Sequence, residues 1–161
     1  MQGAVPVKVR RQARIVALQT LFEVDSAHHP AERVLRQRLE DVALPQPGEE
    51  FAQFLVSGVM DHQEQLDPLI QEYAPQWPLE QMAFIDRNVL RIAIFELLVA
   101  RSAPAKVIIN EAVELAKLFG SDSSHRFING VLGALLDRRA QLPDVPSRPK
   151  DEEESGERER K

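Results

Sequence analysis

The 161-residue chain contains no cysteine, which excludes disulfide bonds, thiolate metal sites and cysteine nucleophiles. Its four histidines, at positions 28, 29, 62 and 125, are too scattered to suggest a metal site. His28 and His29 are adjacent, so on a helix they would point about 100° apart and could not bind one metal together. We therefore expect neither a metal nor any other cofactor.

Long apolar runs and catalytic motifs are also missing. No run approaches the roughly 18 apolar residues of a membrane span, and no signal segment opens the chain. The sequence holds no GxxxxGK phosphate loop, no GxGxxG, no HExxH and no GxSxG. These absences predict a cytoplasmic protein that has no membrane attachment and is not an enzyme.

The net charge of −5 disfavours nucleic-acid binding only if the charges are evenly spread, and they are not. Glu23 is the first acid, and it is preceded by Lys8, Arg10, Arg11 and Arg14. Cations on about two helical turns are suited to contact about two to four phosphates of a single strand. Composition alone leaves a solvated basic start and an RNA-binding helix as equally good interpretations.

The opposite end of the chain has a different composition. Residues 142–161 hold seven acids, five bases and three of the eleven prolines, with almost no apolar side chains. Such a segment buries too little apolar surface to offset the entropy lost on ordering. We predict one helical domain over residues 1–141 and a disordered charged tail over residues 142–161.

Between the ends, apolar residues recur at helical spacing almost throughout. The first helix is predicted at residues 8–26, and the most apolar one, at residues 85–100, is placed at the centre of the bundle. Residues 45–48 are predicted to form a loop, and Pro68 to begin or kink a further helical segment. The pattern predicts an all-α bundle of about seven helices.

Four glycines are predicted to have structural roles. Gly58 is predicted at a close contact between helices, and Gly130 and Gly133 are assigned to helix packing. Gly120 is expected to end the preceding helix as a left-handed cap.

Three segments are recognisable together: RRQARIVALQTLF at 10–22, IDRNVLRIAIFEL at 85–97 and PAKVIINEAVELAKLFGSDSSHRFINGVL at 104–132. In this order and spacing they resemble the NusB family of bacterial transcription antitermination factors. The resemblance covers about residues 10–136, and its most specific part is INEAVELAK followed by a FINGVL-like helix.

This resemblance implies two perpendicular three-helix subdomains. It also implies a function: binding the boxA element of nascent RNA together with NusE, a small-subunit ribosomal protein that doubles as an elongation factor. Both would act in the RNA polymerase antitermination complex, which promotes processive transcription of ribosomal RNA operons.

The resemblance also implies site residues, to which the basic cluster adds Lys8. RNA contacts are expected at Lys8, Arg10, Arg11, Arg14, Gln19 and Phe22, and near the last helix at His125, Arg126, Phe127 and Asn129. Contacts with NusE are expected at Phe22, Asp86 and Phe95. Two departures from the family pattern matter: Gln12 interrupts the run of bases, and Ser123 stands where an acid can occur. We expect them to alter RNA affinity.

One alternative comes from another functional class. The chain would be a homodimeric protein-interaction bundle, in which a second copy covers the basic, aromatic-bearing helix. A dimer that persists and excludes RNA would favour this alternative over the RNA-binding adaptor.

Overall fold

The computed structural model describes residues 5–138, which form six α-helices and no β-strand. The helices are α1 (Val7–Ala27), α2 (Ala31–Asp41), α3 (Gln46–Tyr73), α4 (Phe84–Ile94), α5 (Ala105–Phe119) and α6 (Ser124–Arg138). A 3-10 turn at Leu79–Gln81 precedes α4, and a π-helical turn at Phe95–Ala100 continues it. The all-α prediction is confirmed; the predicted tail at residues 142–161 lies outside the described residues.

Prolines set where most of the helices begin. Four of the six start directly after a proline, namely Pro6, Pro30, Pro45 and Pro104. The fixed backbone angle of proline suits a helix start, where its missing N–H costs nothing. The loop predicted at residues 45–48 was wrong for the same reason: α3 begins at Gln46 and contains Pro47 in its first turn.

Pro68 does not interrupt α3, which runs without a break from Gln46 to Tyr73. Leu66 and Ile70, on either side of Pro68, are fully buried in the core. Their burial holds the helix in place across the missing hydrogen bond. Two predicted helices are therefore one, which reduces the expected seven to six.

The helices form two groups of three, α1–α3 and α4–α6. The central element is α4, which packs against α1 and α3 of the first group and against α5 and α6 of the second. Residues 88–98, which include most of the π-helical turn, are all buried. The predicted central position of this segment is confirmed.

A buried ion pair joins α1 to the π-helical turn. Arg14 and Glu96 are 3% and 1% exposed, and two hydrogen bonds of 2.8 Å connect the guanidinium to both carboxylate oxygens. Ser102 donates a further hydrogen bond to Glu96. Arg14 Nη1 also lies 3.9 Å from a carboxylate oxygen of Glu111 on α5. The pair therefore fixes three elements relative to one another.

Gly58 on α3 permits the closest approach in this core. A Cβ atom at this position would lie 2.0 Å from Cζ of Phe95, far inside van der Waals contact. The predicted close helix contact is confirmed.

The other glycine assignments were wrong. A Cβ at Gly130 or Gly133 would meet nothing within 4 Å, so neither is needed for packing. Gly120 has a φ of −94°, outside the left-handed region. It provides space instead, because a Cβ there would lie 2.5 Å from Oγ of Ser124.

Two features of other protein classes are absent from residues 5–138. None of their helices has the length and apolar content needed to cross a bilayer. No three histidine or carboxylate side chains among them are grouped so as to hold a metal ion.

Gly58→Ala is expected to lower the free energy of unfolding by about 1–3 kcal/mol, because the added methyl group overlaps the ring of Phe95. This cost exceeds the gain in helix propensity of roughly 1 kcal/mol. Gly130→Ala is the matched control, since it adds the same methyl to a helix in open space and should stabilise. Urea denaturation measures both; similar stabilisation by the two substitutions would contradict the overlap.

Glu96→Gln is expected to cost about 3–5 kcal/mol of stability, because it removes the carboxylate that directly pairs with the buried Arg14 cation and leaves only the Glu111 carboxylate, 3.9 Å away. Glu114→Gln is the control, since it removes the same charge from the exposed pair with Lys117 and should cost under about 0.5 kcal/mol. Denaturant midpoints distinguish the two, and equally small losses would show that the Arg14–Glu96 pair does not hold the helices together.

Candidate functional site

The start of α1 carries two cations, Lys8 and Arg10, without a carboxylate partner among residues 5–138. Lys8 is exposed, and Nη1 of Arg10 donates a 2.9 Å hydrogen bond to the carbonyl oxygen of Ser102. The Arg10 guanidinium lies 5.1 Å from the ring centroid of Phe51. No carboxylate of the described residues forms an ion pair with Lys8 or Arg10. Lys8, Arg10 and Arg11 together form the basic patch.

Arg11 is compensated by an acid. Its guanidinium donates hydrogen bonds of 3.0 and 2.9 Å to the two carboxylate oxygens of Glu111. These bonds raise the pKa of Arg11 and hold the pKa of Glu111 below its usual range, against the opposing effect of partial burial. The Arg11 side chain is still 43% exposed, so it can contact a ligand while its charge is largely balanced.

Two predicted contact residues lie in the interior. Arg14 is engaged by Glu96, so its guanidinium is not available to RNA in this fold. Phe95 is 2% exposed and packs beneath Gly58, which removes it from any partner surface. The resemblance implied contacts at both positions, but in this fold tertiary packing leaves neither side chain accessible to a partner.

The far end of α1 carries an aromatic surface, defined as Phe22 and Phe84. The two rings meet edge to face with centroids 6.0 Å apart, and they are 37% and 39% exposed. Phe22 lies about 16 Å along the helix from Arg11, so it belongs to a different surface from the basic patch. Gln19, one turn before Phe22, is half-buried.

A charge network beneath the aromatic surface fixes α1 against α4. Arg87 donates two 2.7 Å hydrogen bonds to Asp25, and Asn88 donates another at 2.9 Å. Burial opposes ionisation of Asp25, but these bonds outweigh it and hold its pKa below the ordinary value. Arg91 bridges Asp25 to Asp67 on α3. The Arg87 guanidinium also lies 4.7 Å from the centroid of the Phe84 ring.

A pocket of about 570 Å³ lies between the segment before α4 and the start of α6. It is lined by Trp77, Gln81, Met82, Ala83, Asp86, Ser123, Arg126 and Phe127. The fold therefore brings the predicted partner residue Asp86 together with the predicted RNA residues Arg126 and Phe127. Asp86 Oδ1 is buried and accepts no hydrogen bond from another described residue.

The remaining predicted residues lie on the first turns of α6, where His125 is half-buried and Asn129 is exposed. Sequence reasoning missed Trp77, which is 53% exposed at the pocket. Two signals could have found it, because it is the only tryptophan of the chain and it stands between Pro75 and Pro78 in a helix-breaking segment.

Comparison with solved structures shows where this fold occurs. T. maritima NusB superposes with a TM-score of 0.76 at 30% identity, covering 89% of this chain and 96% of that one. A structure of antitermination factors NusB and NusE in complex with dsRNA gives a TM-score of 0.74 at 23% identity. That match covers 82% of this chain and 98% of the other, and it shows a shared fold.

Sequence relatives show the family. Transcription antitermination protein NusB of Roseiflexus castenholzii is 50% identical over 132 residues, which are 81% of this chain and 93% of that protein. The protein of the same name from Chloroflexus aggregans is 51% identical over 131 residues, covering 80% and 87%. The model of the NusB family matches residues 11–137. The chain therefore belongs to the NusB family of transcription antitermination factors.

Proposed function

We propose that this protein is an RNA-binding adaptor that binds boxA RNA together with NusE. In this role it joins the RNA polymerase antitermination complex and promotes processive transcription of ribosomal RNA operons. It acts by binding and positioning rather than by catalysis. Family membership supports the general role, and the solved complex of NusB and NusE with dsRNA supports the two kinds of partner.

The observation that carries this proposal is the separation of two surfaces along α1. The basic patch lies at its start, whereas the aromatic surface lies at its end beside α4. Cations suit the phosphates of RNA, and exposed aromatic rings suit a protein partner. An adaptor needs both surfaces to be accessible at the same time.

The basic patch by itself gives weak RNA binding. Arg14 is buried and Arg11 is balanced by Glu111, so Lys8 and Arg10 supply most of the unbalanced charge. Two phosphate contacts on a single strand contribute a salt slope of about 1.4. NusE must therefore extend the RNA surface, and by linkage each ligand then strengthens binding of the other.

The pocket beside α6 is the second RNA element of the proposal. Phe127 and Trp77 offer aromatic faces on which unstacked bases can lie, and Arg126 offers a cation for the backbone. His125 and Asn129 on the same helix start add hydrogen-bonding groups. Asp86 and Phe22 are assigned to NusE, and the buried Oδ1 of Asp86 is suited to accept a donor from that partner.

Lys8→Ala combined with Arg10→Ala is expected to weaken boxA RNA binding about tenfold in about 0.1 M salt, because two phosphate contacts are lost. The slope of log K against log salt should fall by about 1.4. Fluorescence anisotropy at several salt concentrations, with and without NusE, measures both quantities.

Arg33→Ala is the matched control for that titration, since Arg33 is an exposed arginine on α2, away from the basic patch. It should leave the salt slope unchanged. An unchanged salt slope in the Lys8 and Arg10 double variant would show that the basic patch is not part of the RNA-binding site. Light scattering over a concentration series tests the homodimer alternative. A persistent dimer that excludes RNA would favour that alternative over the RNA-binding adaptor.

Asp86→Lys is expected to weaken NusE binding at least tenfold, because it reverses the charge of a carboxylate buried at the proposed interface. The circular dichroism signal of the helices should stay intact. Asp41→Lys makes the same change at an exposed position on α2 and should bind NusE normally. Calorimetric titration decides the matter; loss of helical signal in Asp86→Lys would mean that Asp86 is a structural residue.

A further inference from the structure

A groove of about 640 Å³ lies between α2 and α3, on a surface that the proposed function does not use. Its floor is apolar, with Leu35 and Leu39 from α2 and Val56 and Met60 from α3. Met60 is 41% exposed. No residue of the basic patch, the aromatic surface or the α6 pocket lines it.

Acidic residues stand at both ends of this groove. Only residues 42–45 connect α2 to α3, so the two helices are antiparallel neighbours. Glu40 and Glu49 therefore lie at the end beside the connection, and Glu32 and Asp61 at the other end. Arg36 lies between them on α2. The charges along the groove thus alternate as acidic, basic and acidic.

Three of these acids are available for a ligand. Glu32, Glu40 and Glu49 form no ion pair with another residue in the described part of the chain, and the same holds for Arg36. An apolar floor between unpaired charges is typical of a binding surface rather than of a closed core.

We infer that this groove binds one amphipathic helix of a partner protein, with basic residues at both ends of its apolar stripe and an acidic residue near the middle. The apolar stripe would cover Leu35, Leu39 and Met60, as in other helix-in-groove complexes. Glu32 and Glu40 are about 12 Å apart along α2, which sets the basic residues of the partner about two helical turns apart. The charges fix the register and direction of the bound helix.

The test uses the full chain and a labelled helical peptide of about 16 residues. The peptide carries a leucine stripe, lysines two turns apart at its ends and one glutamate between them. In a second peptide, glutamates replace the two end lysines and a lysine replaces the central glutamate. Fluorescence anisotropy should show that the wild-type chain binds the first peptide about tenfold more tightly than the second.

Variants of exposed residues locate the site. Met60→Lys places a charge in the apolar floor and should weaken binding of the first peptide at least tenfold. Glu40→Lys should weaken it about fivefold, and exchanging the facing lysine of the peptide for glutamate should restore that loss. Glu64→Lys, the same charge change on α3 outside the groove, should leave binding within about twofold of the wild type.

Three results would overturn the inference. Equal weakening by Glu40→Lys and Glu64→Lys would show attraction by net charge alone. Equal affinity for the two peptides would show that the charge pattern of the groove does not select the bound helix. A dimer of the wild-type chain that Met60→Lys converts to monomer would make a second copy the occupant. None of these results depends on RNA or NusE binding, so the adaptor proposal stands or fails separately.

Discussion

The buried pair of Arg14 and Glu96 is the constraint on which the arrangement of the two helix groups depends. A charge buried in a helical core needs its counter-charge at hydrogen-bond distance, so α1 cannot slide or rotate against the π-helical turn. Ser102 and Glu111 extend the requirement to the loop after that turn and to α5. The pair holds the first half of α1 in place, and with it the exposed basic residues there, while the Asp25 network holds the other end against α4.

The same constraint divides the basic residues of α1 between structure and binding. Arg14 pairs with Glu96 in the core, and Arg11 pairs with Glu111 at the surface. Arg10 and Lys8 have no acidic partner among the described residues. Phe51 lies against both Arg10 and Arg14, so one aromatic ring supports a surface cation and a buried one. A basic run in a sequence therefore overstates the charge that the folded protein presents to a ligand.

Local pattern predicted most of the fold. Helical spacing identified the class and the central helix, and the first helix was predicted at 8–26 and observed at Val7–Ala27. The unbroken α3 was not predicted, because Pro68 removes a helical hydrogen bond and was therefore interpreted as the start or kink of a further segment.

The candidate site was less predictable than the fold. Arg14 was expected to contact RNA as a member of the basic cluster at the start of α1. Its burial depends on Glu96, which lies 82 residues further along the chain. Likewise, Asp86 and Phe127 share a pocket only because the segment before α4 meets the start of α6. Family resemblance supplied candidate residues, but packing decided which of them reach the surface.

Trp77 has a consequence for observing this protein. It is the only tryptophan of the chain, and it lines the pocket that also contains Asp86 and Phe127. The wavelength of indole emission shifts with the polarity of its surroundings, and all of the tryptophan fluorescence of the molecule comes from this one pocket. The unlabelled protein thus carries its own optical probe of the place where RNA and protein contacts are proposed to meet.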